Sequence, residues 1–226
     1  MSEWKSPALL EEYAAKVTDP VTGWYEHEVN FPDMVRLIPS GAKTLLDFGC
    51  GPGEFTNKLS QSFPRVAGAD IAPMLEFARE NYSDIDFIEW DGENDIPDEL
   101  ETFDVVFSKL TLQFIRDIDA LAAKFFEIVS QNGSVIYSIP NPQKIYKKFN
   151  LEPDTVTEYS DEIGDTGIKI YPVYRPERVY IEAFTKAGFK FIEISEPDIA
   201  NELAEKYNVS AAYASQSHRS NFKFSK

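Results

Sequence analysis

The sequence predicts an α/β domain, a three-layer α/β/α sandwich in which helices cover both faces of a mainly parallel sheet. Three observations predict it. The apolar run Thr44–Phe48 stops at the turn Gly49-Cys50-Gly51-Pro52-Gly53, and a helix-compatible stretch from Glu54 to Ser60 follows, so the order reads strand, tight turn, helix. Short apolar runs and helical segments then alternate along the chain, the pattern of strand–helix–strand units. The run Phe103–Ser108 is dominated by apolar residues, as in a parallel strand buried on both faces.

Composition bounds the function. The 226 residues suit one domain, residues 1–226, with an N-terminal helical arm over 1–41 and a cap-like insertion over 141–175. The 38 acidic against 22 basic residues give a formal charge of −16, the wrong sign for holding a phosphate backbone, so a nucleic-acid partner is not expected. Cys50 is the only cysteine, and the two histidines are His27 and His218, so neither a disulfide nor a metal site is expected. Met1 to Lys16 carries Glu3, Glu11 and Glu12 and lacks the apolar core of a signal peptide, and no stretch reaches the length of a membrane span. The expected location is the cytoplasm.

The arm opens with a helix over Pro7–Val17, whose Leu9, Leu10, Tyr13, Ala14 and Val17 have helical spacing, broken by Asp19-Pro20. After the turn at Thr22-Gly23 and the segment Trp24–Glu28, a second helix runs from Pro32 to Ile38 and ends at Pro39-Ser40-Gly41. Ligands of open α/β sheets sit beyond the carboxyl ends of the strands, where such an arm can fold across as a lid. Tyr25 and His27 are therefore the candidate proton acceptors, with plain packing as the alternative for each.

The glycines of the first turn let bare backbone approach a ligand, and the helix start offers unpaired N–H groups to an anionic group. Asp47, at the strand end, can accept from a cationic amine. A carboxylate site beside an amine site suits an amino-acid moiety. The third glycine comes one residue too early for the G-x-G-x-x-G dinucleotide loop.

The second strand, Arg65–Ala69, closes at Asp70, and Ile71-Ala72-Pro73-Met74-Leu75 opens a helix to Tyr82. Asp70 has the position of a ribose-binding carboxylate and also that of a helix N-cap. The third strand, Asp86–Trp90, ends at Asp91-Gly92, a frequent turn pair, before the acidic loop Glu93–Glu101. The fourth strand delivers Ser108-Lys109-Leu110 to the same edge. A helix over Leu121–Val129, ended by Gln131-Asn132-Gly133, precedes the fifth strand, Ser134–Ile139, which Pro140-Asn141-Pro142 stops. Gln143–Tyr174 has no steady period and reads as a substrate-facing insertion, whose Tyr146, Tyr159, Tyr171 and Tyr174 line a pocket or pack. Arg175-Pro176-Glu177-Arg178 starts a helix to Lys186. A strand over Lys190–Ile194, a helix from Asp198 to about Tyr207 and an alternating strand over Ser220–Ser225 complete the chain.

Leu45–Thr56 resembles the first motif of class I S-adenosylmethionine-dependent methyltransferases, apolar-Leu-Asp-apolar-Gly-Cys-Gly-x-Gly. Gly68–Leu75 resembles the corresponding second segment, and Leu112–Asp117, with Gln113, the fourth motif. The resemblance implies a Rossmann-like, seven-stranded, mostly parallel sheet whose last strand is antiparallel. It implies S-adenosylmethionine as cofactor, S-adenosylhomocysteine as product, and in-line methyl transfer to a small-molecule acceptor. By resemblance the cofactor contacts are Asp47, Phe48, Gly49, Cys50, Gly51 and Gly53 in the first motif, and Asp70 at the ribose. Ile71 and Met74 would flank the adenine, with Asp91 and Gly92 at its edge and Ser108 and Leu110 at the methionyl part. Three other readings stay open: a protein or RNA methyltransferase, which would want an Asn-Pro-Pro-Tyr type signature where Ser108-Lys109-Leu110-Thr111 stands; an NAD-dependent oxidoreductase; and a non-catalytic module that keeps the fold.

Overall fold

The computed structural model describes residues 10, 13–15, 19, 21, 23–162 and 169–226. Its main sheet contains β1 (Thr44–Phe48), β2 (Arg65–Asp70), β3 (Asp86–Glu89), β4 (Phe103–Lys109), β5 (Val129–Pro140), β10 (Lys190–Ser195) and β11 (Arg219–Ser225). The seven strands lie in the order β10-β11-β5-β4-β1-β2-β3. Pairing is parallel from β5 through β3, and β11 runs antiparallel to both β5 and β10. The four two-residue strands between β5 and β10, namely β6 (Thr157–Glu158), β7 (Asp161–Glu162), β8 (Lys169–Ile170) and β9 (Val173–Tyr174), pair as β6 with β9 and β7 with β8.

Side chains that alternate along each central strand build the two outer layers. Leu45, Val105 and Ile136 pack on one face with Met34 and Leu37 at α1 (Phe31–Arg36) and Leu59 of α2 (Glu54–Ser60). Their sequence neighbours Leu46, Val106 and Tyr137 point the other way, toward Phe125 of α4 (Ile118–Ile128) and Phe184 of α6 (Glu177–Lys186). This period of two makes a sheet that is apolar on both faces and needs helices on both. Each fully buried Leu, Ile or Phe contributes about 1.5–3 kcal/mol. Near β3, Leu75 and Ala78 of α3 (Ala72–Asn81) meet Phe87 and Cys50 under the glycine turn.

Several elements differ from the expectation. The expected helix over 7–17 falls mostly outside the described residues, of which Leu10, Tyr13, Ala14 and Ala15 are helical. A π-helical turn, Glu26–Asn30, leads into α1, which stops at Arg36. Gln131-Asn132-Gly133 does not end a helix. α4 stops at Ile128, β5 starts at Val129, and the triplet is a bulge in which the register passes from Phe103↔Val129 to Val105↔Ser134. Asn132 takes the left-handed conformation there, with φ 66°, and a Cβ on Gly133 would lie 2.7 Å from the Asp104 carbonyl.

The aperiodic insertion holds α5 (Pro142–Phe149), whose first N–H groups donate to the Asn141 side chain, besides its two small ladders. Toward the C-terminal end, the helix expected over 198–207 is the shorter α7 (Asn201–Lys206), and α8 (Ala211–Ala214), capped by Ser210, was not expected. Among the described residues, no helix is long and apolar enough to cross a membrane.

Candidate active site

The strand order reverses at β1, since β2 and β3 lie on one side and β4 and β5 on the other. A crevice opens beyond the carboxyl ends at such a switch point. Gly49, Gly51 and Gly53 all have positive φ, at 74°, 56° and 85°. The first two need glycine for different reasons. A Cβ on Gly49 would lie 2.0 Å from Thr111 Oγ1, so packing forbids it, whereas a Cβ on Gly51 would meet nothing within 4 Å and would project into open space. The cleft beside this turn, about 40 Å³, is lined by Asp47, Gly49, Cys50, Gly51, Pro52, Glu54 and Phe55, by Lys109 at the end of β4, and by Tyr13 of the arm.

Two carboxylates frame the turn, Asp47 buried and Asp70 half-buried. Asp47 accepts from the Thr56 hydroxyl at 2.7 Å, and burial, only partly offset by that bond and by Lys109, pushes its carboxyl up to about 6. Asp70 accepts from the Gly51 N–H through Oδ2 and from the Ile71 N–H through Oδ1, both at 2.7 Å. Burial outweighs these bonds and also raises it to about 6. A carboxylate has about four lone-pair sites, so each acid keeps acceptor capacity after its internal bonds. These acids, with the open position at Gly51, fit a ligand that carries an amine and vicinal hydroxyls.

The other expected contacts have varied surroundings. Asp91 closes a turn, accepting from the Glu93 and Asn94 N–H groups at 2.9 Å and from the Asn94 side-chain amide at 2.8 Å. Gly92 is demanded by packing, because a Cβ there would lie 2.6 Å from the Phe48 ring. Phe48 and Met74 are buried, and the Cys50 thiol is pushed well up by burial. Ile71 caps α3 from an extended conformation. Ser108 turns its hydroxyl to the Phe48 carbonyl at 2.8 Å and so ties β4 to β1. Leu110 takes φ 58°, unusual for a branched side chain, and donates its N–H to the Ser138 carbonyl at 2.9 Å.

Residues 46–137, from β1 into β5, match the family model described as a methyltransferase domain. Over these residues the chain is similar to methyltransferase domains. A trans-aconitate 2-methyltransferase of Paracidovorax citrulli is 30% identical over 169 residues, covering 73% of this chain and 61% of the relative. One from Enterobacter is 30% identical over 144 residues, 62% of this chain and 52% of the relative. The chain thus spans between about half and three-fifths of these curated relatives. The crystal structure of an S-adenosylmethionine-dependent methyltransferase from Mesorhizobium loti shares the fold, with TM-score 0.67 and 19% identity over 86% of this chain and 96% of that one.

Neither candidate proton acceptor, Tyr25 or His27, lines the cleft. Tyr25 is buried among Val29, Ile199 and Ala214; its hydroxyl donates to the Pro197 carbonyl at 3.3 Å, and burial pushes it up to about 12. His27 lies behind Phe55, with ring centroids 4.9 Å apart, and its Nδ1 faces Lys58 Nζ at 2.5 Å and Glu54 at 3.5 Å.

Sequence reasoning passed over the half-buried charges next to them. Glu26 pairs with Arg219 at 2.5 Å and with Lys109 at 3.7 Å, and accepts from Asn30 at 2.8 Å. Burial raises the Glu26 carboxyl, but Arg219 and Lys109 outweigh it and hold it below the usual range. Burial lowers the Lys109 ammonium against the pull of Glu26, and the ammonium sits 4.3 Å from the centroid of Phe55. The available signal was a lysine at the carboxyl end of a buried strand, since such a charge is rarely buried without a partner.

Proposed function

We propose that this chain catalyses S-adenosylmethionine-dependent transfer of a methyl group to a small-molecule acceptor. The observation that carries the reading is the juxtaposition, at one switch point, of the glycine turn, Asp47 and Lys109 lining a single cleft, with Asp70 accepting from the Gly51 N–H of that turn. Asp47 would take the amine of the methionyl part and Asp70 the ribose hydroxyls. Gly51 leaves the backbone open to both. When bound, the cofactor supplies a methyl group already activated on a sulfonium. The chain then has to bind, orient and exclude water, a proximity effect that asks little acid–base work of Tyr25 or His27. The arm over 1–41 and the insertion over 141–175 would close over the edge of one catalytic domain, and the single cysteine supports a reducing, cytoplasmic place of work.

Trans-aconitate, the acceptor for which the relatives are named, is the first acceptor to try. The test is calorimetric titration with S-adenosylmethionine, S-adenosylhomocysteine and NAD, followed by an acceptor screen for S-adenosylhomocysteine release. Micromolar binding of both sulfur ligands and none of NAD is the expected result. Binding of NAD alone would overturn the reading, and so would an absence of binding by either sulfur ligand.

A further inference from the structure

A second cleft lies at the same edge, between the ends of β4 and β5 and the insertion. It is lined by Gln113, Ile139, Tyr159, Tyr174, Arg175 and Tyr180 among others. Arg175 is 3% exposed. Its Nη2 donates to the Ile115 carbonyl at 2.5 Å and to the Arg116 carbonyl at 3.0 Å, and the guanidinium carbon lies 5.8 Å from the centroid of the Tyr180 ring, while the buried Nη1 has no hydrogen-bond acceptor. Gln113 is buried too. Its amide nitrogen donates to the Leu110 carbonyl at 2.6 Å, which fixes the flip, because a carbonyl only accepts; its oxygen is left unpaired. Both orphan atoms thus belong to side chains that line one cleft.

A buried guanidinium strongly favours a counter-anion, because removal from water costs several kcal/mol per ion unless the charge is compensated. Among the described residues no ion pair joins Arg175 to a carboxylate, and the ion pairs present occupy other cations. The enclosed part of the cleft is about 10 Å³, room for one oxygen atom. Gln113 connects it to the cofactor edge, since the carbonyl it holds belongs to the strained Leu110 that ends β4.

We propose that Arg175 and Gln113 form the anchoring subsite for a carboxylate of the methyl acceptor. This rests on the methyltransferase reading. One carboxylate oxygen enters the enclosed space and accepts from Arg175 Nη1, and the Gln113 oxygen takes an O–H or N–H of the same molecule or of a water held with it. Tyr159, Tyr174 and Tyr180 supply an aromatic wall around the carbon skeleton. The acceptor class is therefore a small carboxylic acid bound as its anion, and a neutral ester should not be held.

The experiment uses the full chain saturated with S-adenosylhomocysteine and titrates acetate, succinate, citrate and trans-aconitate, with the trimethyl ester of trans-aconitate as the uncharged control. At least one carboxylate should bind and the ester should not. Arg175→Met should weaken that binding about 10- to 150-fold, the loss of a charged hydrogen bond, with S-adenosylhomocysteine affinity unchanged. Because Arg175 also holds two carbonyls, Arg175→Lys is the second variant; it keeps the charge and should retain the preference for the acid at reduced affinity. The proposal is overturned if no carboxylate binds at millimolar concentration, which leaves a bridging water as the occupant. Equal binding of ester and acid also overturns it, as does carboxylate affinity that neither variant changes. Failure of the wild-type chain to bind S-adenosylhomocysteine refutes the methyltransferase reading instead.

Discussion

Asp70→Asn separates the two roles that the carboxylate at the end of β2 can play. In the folded chain burial raises this carboxyl from 3.8 to about 6 even though it accepts from the Gly51 and Ile71 N–H groups, so at pH 7 its ionised form costs about 3 kcal/mol of folding stability. The sign follows from proton binding. Between about pH 4 and pH 6 the folded state holds the proton that the unfolded state has released, so this contribution to stability falls as pH rises and the cost is full above pH 6. Asparagine removes the charge but turns an amide N–H toward one backbone N–H, leaving a donor unpaired at about 1–3 kcal/mol. The two changes nearly cancel, and urea unfolding at pH 7 should show the variant within about 2 kcal/mol of wild type, on the stable side. Its advantage should shrink as pH falls through about 6 and reverse by about pH 4. Cofactor affinity by calorimetry should meanwhile fall about 10- to 150-fold, the range for a hydrogen bond to a charged group. A folded variant with unchanged affinity would remove Asp70 from the binding site. A loss of several kcal/mol at pH 7 would refute the burial argument and make the carboxylate a structural cap.

Other outcomes follow from the same geometry. Gly49→Ala should cost about 2–5 kcal/mol, combining left-handed strain with the clash against Thr111, whereas Gly51→Ala should cost only about 1–2 kcal/mol and yet lose cofactor affinity because its methyl projects into the cleft; thermal melts and calorimetry on the pair check this. Tyr25→Phe should keep turnover within about twofold up to pH 9, since the hydroxyl is pushed up to about 12, and should lose about 1 kcal/mol from the bond to Pro197; a collapse of turnover in a stable variant would restore Tyr25 as a catalytic group. Glu26→Gln should cost about 3–5 kcal/mol, more than Lys109→Met, because Glu26 is one anion serving two cations while Glu26 without Lys109 still has Arg219; urea denaturation of both variants decides the order.

What the sequence made legible was local. β1, the turn and α2 stand at their expected residues because glycine punctuation and an apolar run need only neighbours to be recognised. The bulge at Gln131-Asn132-Gly133 was misread because Asn-Gly stops a helix and kinks a strand through the same left-handed conformation, and only pairing with β4 distinguishes the two. The insertion has no period because its ladders contain two residues per strand and depend on partners across the loop. Arg175 looked like a helix-start residue. Its burial comes from carbonyls 60 and 59 positions away, a long-range fact that no window along the chain contains.

The charges at the sheet edge are sorted by the strand order. Asp47, Asp70 and Asp91 stand at the ends of β1, β2 and β3, and Lys109 and Arg219 stand at the end of β4 and the start of β11, with Arg175 beside the end of β5. An acidic chain of net charge −16 has reason to keep its surface acids apart and no reason, from folding alone, to bury cations at one edge, since hydrophobic replacements of such pairs are often as stable. The sorting makes sense as two half-sites of opposite polarity on either side of the switch point. The acidic side suits a ligand that carries an amine and hydroxyls; on the other side Glu26 already pairs Lys109 and Arg219, and Arg175 is the cation left to take an anion. A carboxylate acceptor is ionised at neutral pH and has its lone pair ready, so it needs no base, which agrees with a cleft that neither Tyr25 nor His27 lines. On this argument the acceptor's charge and the absence of Tyr25 and His27 from the cleft have one physical origin, whereas a neutral acceptor such as an alcohol would need a proton acceptor, for which the lining offers only the carboxylates of Asp47 and Glu54.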